Sequence, residues 1–231
     1  VQRPLWMFPA IAGIRPSRTC LGELRLRCVL IAVLGGAIRV STPYLFVSLA
    51  ETLTEKSGRV NLGLEGTLLM GAMSGYGASY LTGSAWLGVL VAAGAGGIFG
   101  LLHAAICNLP RVNDVAVGIG LFIFGTGLAF FLGKPFVQPQ APRLPTFGLG
   151  EMSDVPAIRA ALDVSPLFFA GILGALAMRW VFANTRWGLI VRAVGDNAEA
   201  ARAAGYPVNL TRTLATAIGG LFAGVAGAFL S

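Results

Sequence analysis

Charged side chains are scarce in this sequence. Asp, Glu, Lys and Arg make up 12% of the 231 residues, about half the share found in a soluble globular domain. So few charges cannot cover a water-facing fold of this size. The 55% hydrophobic content equally excludes a disordered chain, which needs low hydrophobicity and high charge. Histidine is nearly absent: a lone His103 cannot build H-E-x-x-H, and Cys20, Cys28 and Cys107 form no C-x-x-C pair, so neither pattern offers a metal site. The single Gly-Lys pair, Gly133-Lys134, is followed by Pro135, which removes the phosphate-cradling G-x-x-x-x-G-K-[ST] loop. No G-x-S-x-G elbow is present, and residues 1–27 hold no small-residue cleavage site behind an apolar core. The chain therefore reads as a non-enzyme, with no cofactor of its own.

What the chain has in quantity is apolar length. Runs of about 18–25 residues, the number a helix needs to cross ~30 Å, cover Leu62–Thr82, Ala85–Leu109, Val115–Gly133, Val164–Ala183 and Thr213–Leu230. The ten-residue alternation of a membrane barrel is missing. These runs predict an all-α polytopic transmembrane helix bundle with about six spans. Between them lie the short turn Gly83-Ser84, a break at Pro110–Asp114, a proline-containing stretch Lys134–Asp163 and a polar segment Asn184–Arg212.

The sixth span is the N-terminal one. Cys28–Ala50 is apolar but carries Arg39 at its centre and Pro43 nearby. An arginine at the bilayer centre costs about 2.5–3.5 kcal/mol on insertion scales. Either Arg39 faces a wet interior, or two shorter helices meet there.

Net charge is +7, from 15 Arg and 2 Lys against 10 acids. Nucleic acid is one partner such an excess suggests. Arginines placed between membrane spans instead mark cytoplasmic loops facing anionic lipid, so no nucleic-acid partner is expected. By the positive-inside rule, Asn184–Arg212 is cytoplasmic and Lys134–Asp163 external. Counting spans backwards puts Glu51–Asn61 inside as well. The five arginines within residues 1–27 would then lie outside after a single crossing; two helices meeting around Arg39 would repair this.

Three glycine pairs at spacing four, Gly71/Gly75, Gly96/Gly100 and Gly220/Gly224, flatten helix faces and allow close backbone approach. His103, mid-span on a Gly/Ala-rich helix, reads as a hydrogen-bonded packing residue. Glu65 stands just inside a span. It is either a functional intramembrane carboxylate or an interfacial residue favoured by the helix dipole. Asn61 and Asn113 flank helix starts and read as caps.

The most informative stretch is Arg192-Ala193-Val194-Gly195-Asp196-Asn197-Ala198-Glu199-Ala200-Ala201-Arg202-Ala203-Ala204-Gly205-Tyr206-Pro207. Asp196 is expected to cap a new helix, with Glu199 three residues on completing a capping-box-like pair. Gly205 and Pro207 should end it after about nine residues. An interfacial lipid-gripping helix would show large apolar residues; this one shows Ala200, Ala201, Ala203 and Ala204. A slim, capped cylinder between spans reads as a knob that docks into a cytoplasmic protein.

Glu199-Ala200-Ala201-x-x-x-Gly205 resembles the E-A-A-x-x-x-G signature of ABC importer permeases, whose coupling helix docks in a cleft of the ATPase subunit. The stretch Glu55-Lys56-Ser57-Gly58-Arg59-Val60-Asn61-Leu62-Gly63-Leu64-Glu65-Gly66 is similar to the E-[RK]-[SA]-G-x-x-N-[IL]-G-[IL]-E-G pattern of the simple-sugar and nucleoside branch, within the superfamily of branched-chain amino acid and ribose permeases. Asn113-Asp114-Val115 fits the opening of the next helix pair. Many nucleoside-type relatives have Asn near position 122, where this chain has Phe122.

The resemblance covers roughly 39–231, a transmembrane permease domain with coupling loop 184–212; residues 1–38 match nothing recognised. The family continues for several helices beyond the apolar run ending at Leu230, so the domain is expected to be incomplete at its C-terminus. The resemblance implies a multi-pass protein of the plasma or inner membrane that imports a small neutral hydroxylated solute, a simple sugar or nucleoside. It implies a partner ATPase that binds ATP and Mg, a second permease chain, and an external binding protein or lipoprotein. Asp196, Asn197, Glu199, Ala200, Ala201 and Gly205 would carry coupling; Asn61, Glu65, Asn113 and Phe122 would serve the path or its structure. The rival reading is an ion-coupled secondary transporter or channel. It would want buried carboxylates or broken helices at mid-membrane, and apart from Arg39 the span centres are uncharged.

Overall fold

The computed structural model describes residues 18–136, 142, 147–148 and 163–230. Eight helices lie among them: α1 (Arg18–Lys56), α2 (Leu64–Thr82), α3 (Ala85–Cys107), α4 (Asp114–Gly133), α5 (Pro166–Asn184), α6 (Arg186–Asp196), α7 (Ala198–Ala203) and α8 (Val208–Leu230). Two two-residue strands, β1 (Phe147–Gly148) and β2 (Asp163–Val164), pair with each other. The all-α bundle expected from the sequence is what forms. The reading of Lys134–Asp163 as a polar external stretch falls largely outside the described residues, as do residues 1–17.

Two compact units divide the chain. One comprises residues 1–36 and 148–163, of which the described part is almost entirely the first half of α1. The other, residues 37–147 and 164–231, is the helix bundle considered below. Through Arg39 and Pro43, α1 continues as one helix of 39 residues, so two short helices do not meet there. Arg39 is exposed on its surface.

Four helices of the described chain are long and apolar enough to cross a bilayer: α3, α4 with its short 3-10 extension to Phe136, α5 and α8. The expected count of about six is not reached on that criterion. Helix α2, at 19 residues, has the length but also carries Glu65, Thr67, Ser74, Ser79 and Thr82. Its place explains the tolerance, because it packs against α3, α4 and α8. A helix touching protein on most sides needs less apolar surface than one facing lipid.

The three glycine pairs meet at one place. A methyl group on Gly100 of α3 would lie 2.5 Å from the Thr216 carbonyl oxygen of α8, and one on Gly71 of α2 would lie 2.7 Å from that of Gly224. Gly96 and Gly220 abut each other's backbone in the same way, and Gly75 faces Ala92 and Gly88 of α3. At such separations any side chain would force the helices apart, so α2, α3 and α8 pack backbone to backbone. On the other side of α2, Gly66 sits against Leu121 and Phe122 of α4. Around this core, Phe46 of α1, Leu167 of α5 and Ala226 of α8 form an apolar cluster joined by Phe222.

Chain direction follows from the hairpins. Running α2 out and α3 back, then α4 out and α5 back, brings residues 57–63, 108–113 and 185–207 to one end, and the turn Gly83-Ser84 to the other. The first group takes in most of Asn184–Arg212, which its charges predicted to be cytoplasmic, and the end of Glu51–Asn61, which span counting predicted to lie on the same side.

Candidate functional site

Between α5 and α8 the chain folds into the two short helices α6 and α7. Thr185 ends α5 and starts α6: its hydroxyl donates to the Val181 carbonyl at 2.6 Å and accepts from the Gly188 amide at 3.1 Å. Gly188 lets α6 fold back onto the backbone of Val181 and Phe182. Along α6 the buried residues are Gly188, Val191 and Val194, an amphipathic spacing that leaves Arg186, Leu189 and Arg192 exposed.

Helix α7 is six residues long, not nine, and its cap is Asn197, not Asp196. The Asn197 side-chain oxygen accepts from the amides of Glu199 at 3.1 Å and Ala200 at 3.0 Å. Asp196 instead closes α6, and its place there removes it from the capping position. With the cap displaced by one residue, Glu199 no longer falls at the third helical position that a capping box requires. It pairs with Arg202 at 2.6 Å on the exposed surface. The C-terminal end matches expectation. Gly205 is left-handed at φ +85, the Tyr206 amide donates to the Ala201 carbonyl, and the Gly205 amide donates to that of Arg202, both at 3.0 Å. These are the paired bonds of a Schellman motif.

Ala201 is 4% exposed and packs with Val194 of α6 and Val208 of α8. It seats the knob; it does not form the knob's outer face. That face is made by Ala200, Ala203 and Ala204, with Glu199, Arg202 and Tyr206 around them. Their small side chains leave that face of α7 narrow and exposed.

Beneath the knob, the ends of the bundle are tied by polar contacts that join residues far apart in sequence. Arg59, 7% exposed, donates from Nη1 to Asp114 Oδ1 at 2.6 Å and from Nη2 to Asn108 Oδ1 at 2.8 Å. Asn108 Nδ2 donates to Thr213 Oγ1 of α8 at 2.9 Å. Arg212 Nε donates to the Ser57 carbonyl at 3.1 Å. Gly195, at the end of α6, abuts the backbone of Lys56 and Gly58, and Gly58 takes φ +80 to make the turn. Reading the sequence for caps and motifs missed Arg59, Asn108 and Arg212. The available signal was an arginine in a short turn between spans, opposite an aspartate opening another span.

The remaining predicted residues are spread along the bundle. Asn61 is buried, and its side chain accepts from the Gly63 amide at 3.0 Å in the turn leading into α2. Asn113 caps α4 by accepting from the Val115 amide at 2.9 Å. Glu65 is exposed in the first turn of α2. Phe122 lies about two turns into α4, half-buried, with its backbone against Gly66. Phe122 thus meets α2 beside Glu65, while Asn61 and Asn113 serve local turns at the end of the bundle that carries α7. His103 is buried in α3, its Nε2 3.5 Å from Cys107 Sγ one turn later.

The described residues thus form a multi-pass helix bundle packed through glycines, with a short capped helix at one end between two spans. The profile of the family described as "Branched-chain amino acid transport system / permease component" matches residues 30–231, and the chain belongs to that family. It is 35% identical over 204 residues to an ABC transporter permease of Haloferax volcanii provisionally named for glucose, covering 86% of this chain and 62% of that protein. It is 28% identical to a guanosine ABC transporter permease of Bacillus subtilis, over 86% of this chain and 66% of the relative. Identity to a nucleoside ABC transporter permease of Lactococcus lactis is 30%, over 81% and 63%. The chain thus spans slightly less than two thirds of the length of these relatives. No solved structure matches it significantly.

Proposed function

We propose that the chain forms part of the permease subunit of an ABC importer, which carries a small neutral hydroxylated solute inward. ATP is bound and hydrolysed with Mg by a partner ATPase, and α7 is the element that docks into it. The observation that carries this reading is the build of α7. It is a six-residue helix capped at both ends, seated on Val194 and Val208 through Ala201, with Ala200, Ala203 and Ala204 outward. Such a helix offers little area to lipid but a narrow, rigid shape to a groove.

In this mechanism Asn197 and Gly205 fix the ends of the knob and Glu199 and Arg202 flank it. Closure of the ATPase displaces α7 together with α6 and the start of α8, because these three share one small core. The glycine-lined contacts among α2, α3 and α8 hold those helices as a block, so a push at the end tilts the block. A second permease chain and an external binding protein or lipoprotein complete the complex.

The solute class is supported by the uncharged centres of the spans and by the glucose, guanosine and nucleoside names of the relatives. A strongly anionic solute would need paired basic residues along its path, since an unpaired charge in low dielectric is very costly. The test is ATP-driven uptake by the full-length complex in proteoliposomes, offered labelled glucose, guanosine and a sugar phosphate. Uptake of glucose or guanosine that depends on ATP supports the reading. Uptake of the sugar phosphate alone, or uptake driven by an ion gradient without ATP, refutes it.

A further inference from the structure

We infer that Arg59 is the positioning residue through which movement of the α6–α7 unit reaches the ends of α3 and α4. This inference rests on the docking role proposed for α7. The route starts at Gly195, the penultimate residue of α6, whose backbone lies directly on that of Lys56 and Gly58. No side chain intervenes to cushion the contact, so the α6 end and the 56–58 turn move as one. Arg212, from the first turns of α8, reinforces this by donating to the Ser57 carbonyl at 3.1 Å. The turn is also stiff internally: Ser57 Oγ and the Arg59 amide both bond the Thr54 carbonyl, at 2.7 Å and 3.2 Å.

Arg59 then projects from this turn and grips two other helices at once. One arm of its guanidinium holds Asp114, the first residue of α4; the other holds Asn108, just past the end of α3. Asn108 passes the contact on to Thr213 of α8. A planar guanidinium with fixed donor directions sets orientation as well as distance, which an apolar plug of the same volume would not. Stability alone is a weak reason for such a group, because a buried ion pair is often matched by well-packed apolar residues. Placement at the junction of the moving unit and the helix ends gives it a second role, the transfer of direction.

The experiment uses the full-length permease assembled with its ATPase in proteoliposomes, and reads ATP hydrolysed per solute transported. Arg59→Lys keeps the charge but loses the two-armed grip, and Gly195→Ala pushes the α6 end off the turn. Both are expected to assemble with the ATPase at parental levels and to raise the ratio about five- to tenfold, within the usual range of intersite coupling. Should Arg59→Lys fail to insert, the exchanged pair Arg59→Asp with Asp114→Arg serves in its place and should lie closer to the parental ratio than Arg59→Asp alone. A purely structural role lowers transport and hydrolysis together at the parental ratio, and that result overturns the inference. Ala203→Trp, on the outer face of α7, is run in parallel. If it weakens ATPase association while Arg59→Lys keeps the parental ratio, only the role of Arg59 falls. If it leaves association and ratio unchanged, the docking role of α7 fails, and the inference falls with it.

Discussion

Replacing one α3 glycine with leucine should have opposite consequences at two positions six residues apart. At Gly100 the first added carbon would sit 2.5 Å from the Thr216 carbonyl oxygen and 3.1 Å from Ala217 Cα. Non-bonded atoms rest about 3.5 Å apart, so α3 and α8 must separate by roughly 1 Å before the rest of the side chain is placed. Overpacking of this kind costs about 1–3 kcal/mol, occasionally more, and leucine needs the upper end of that range. The better helix propensity of leucine returns about 1 kcal/mol at most. The net loss is about 2 kcal/mol, close to a thirtyfold shift toward unfolding. At Gly94 nothing lies within 4 Å of the added carbon, so Gly94→Leu should be neutral or slightly stabilising. Unfolding of the purified full-length chain in mixed micelles, titrated with a denaturing detergent, compares the two. Equal effects, or a neutral Gly100→Leu, would refute backbone-to-backbone packing of these helices.

Other outcomes follow from the same contacts. Asn197→Ala removes the acceptor of two amides, so α7 should lose about 1 kcal/mol and the amides of Glu199 and Ala200 should exchange faster by mass spectrometry; unchanged exchange would mean Asn197 is not the cap. Arg59→Leu strands the part-buried carboxylate of Asp114 and should cost about 1.5–3 kcal/mol, whereas Arg59→Leu with Asp114→Leu should cost clearly less; equal losses in a thermal scan would contradict the pairing. In a cysteine-free background, Asn197→Cys should react with an impermeant thiol reagent only from the cytoplasmic side and Thr82→Cys only from outside. Labelling of both from one side would break the hairpin order of α2 to α8.

The parts of the fold that were legible in the sequence are those set by local composition. Apolar runs located α2, α3, α4, α5 and α8 to within a few residues, because a bilayer demands the same length of every lipid-facing helix. Glycine spacing identified the flat faces of α2, α3 and α8, although not which face met which. At the knob, Asp196 and Asn197 are both good caps, and the choice between them depends on where α6 ends. That end is set by Val191 and Val194 packing beneath α6, a tertiary contact that no local rule reports. The alanines likewise look alike in sequence, while Ala201 turns inward onto Val208 and its neighbours face out. Arg59 and Asp114 lie 55 residues apart, and only the return of α3 beside α2 makes them partners. The continuity of α1 through Arg39 was open because charge and Pro43 argued for a break.

Docking of α7 into an ATPase is best examined by a photo-crosslinking amino acid placed at Ala203 in the full-length permease, activated in native membranes. The expected result is one adduct with the mass of permease plus an ABC ATPase, lost when the same residue is placed at Thr82 on the opposite end. Adducts with lipid alone, or equal ATPase adducts from both positions, would contradict it.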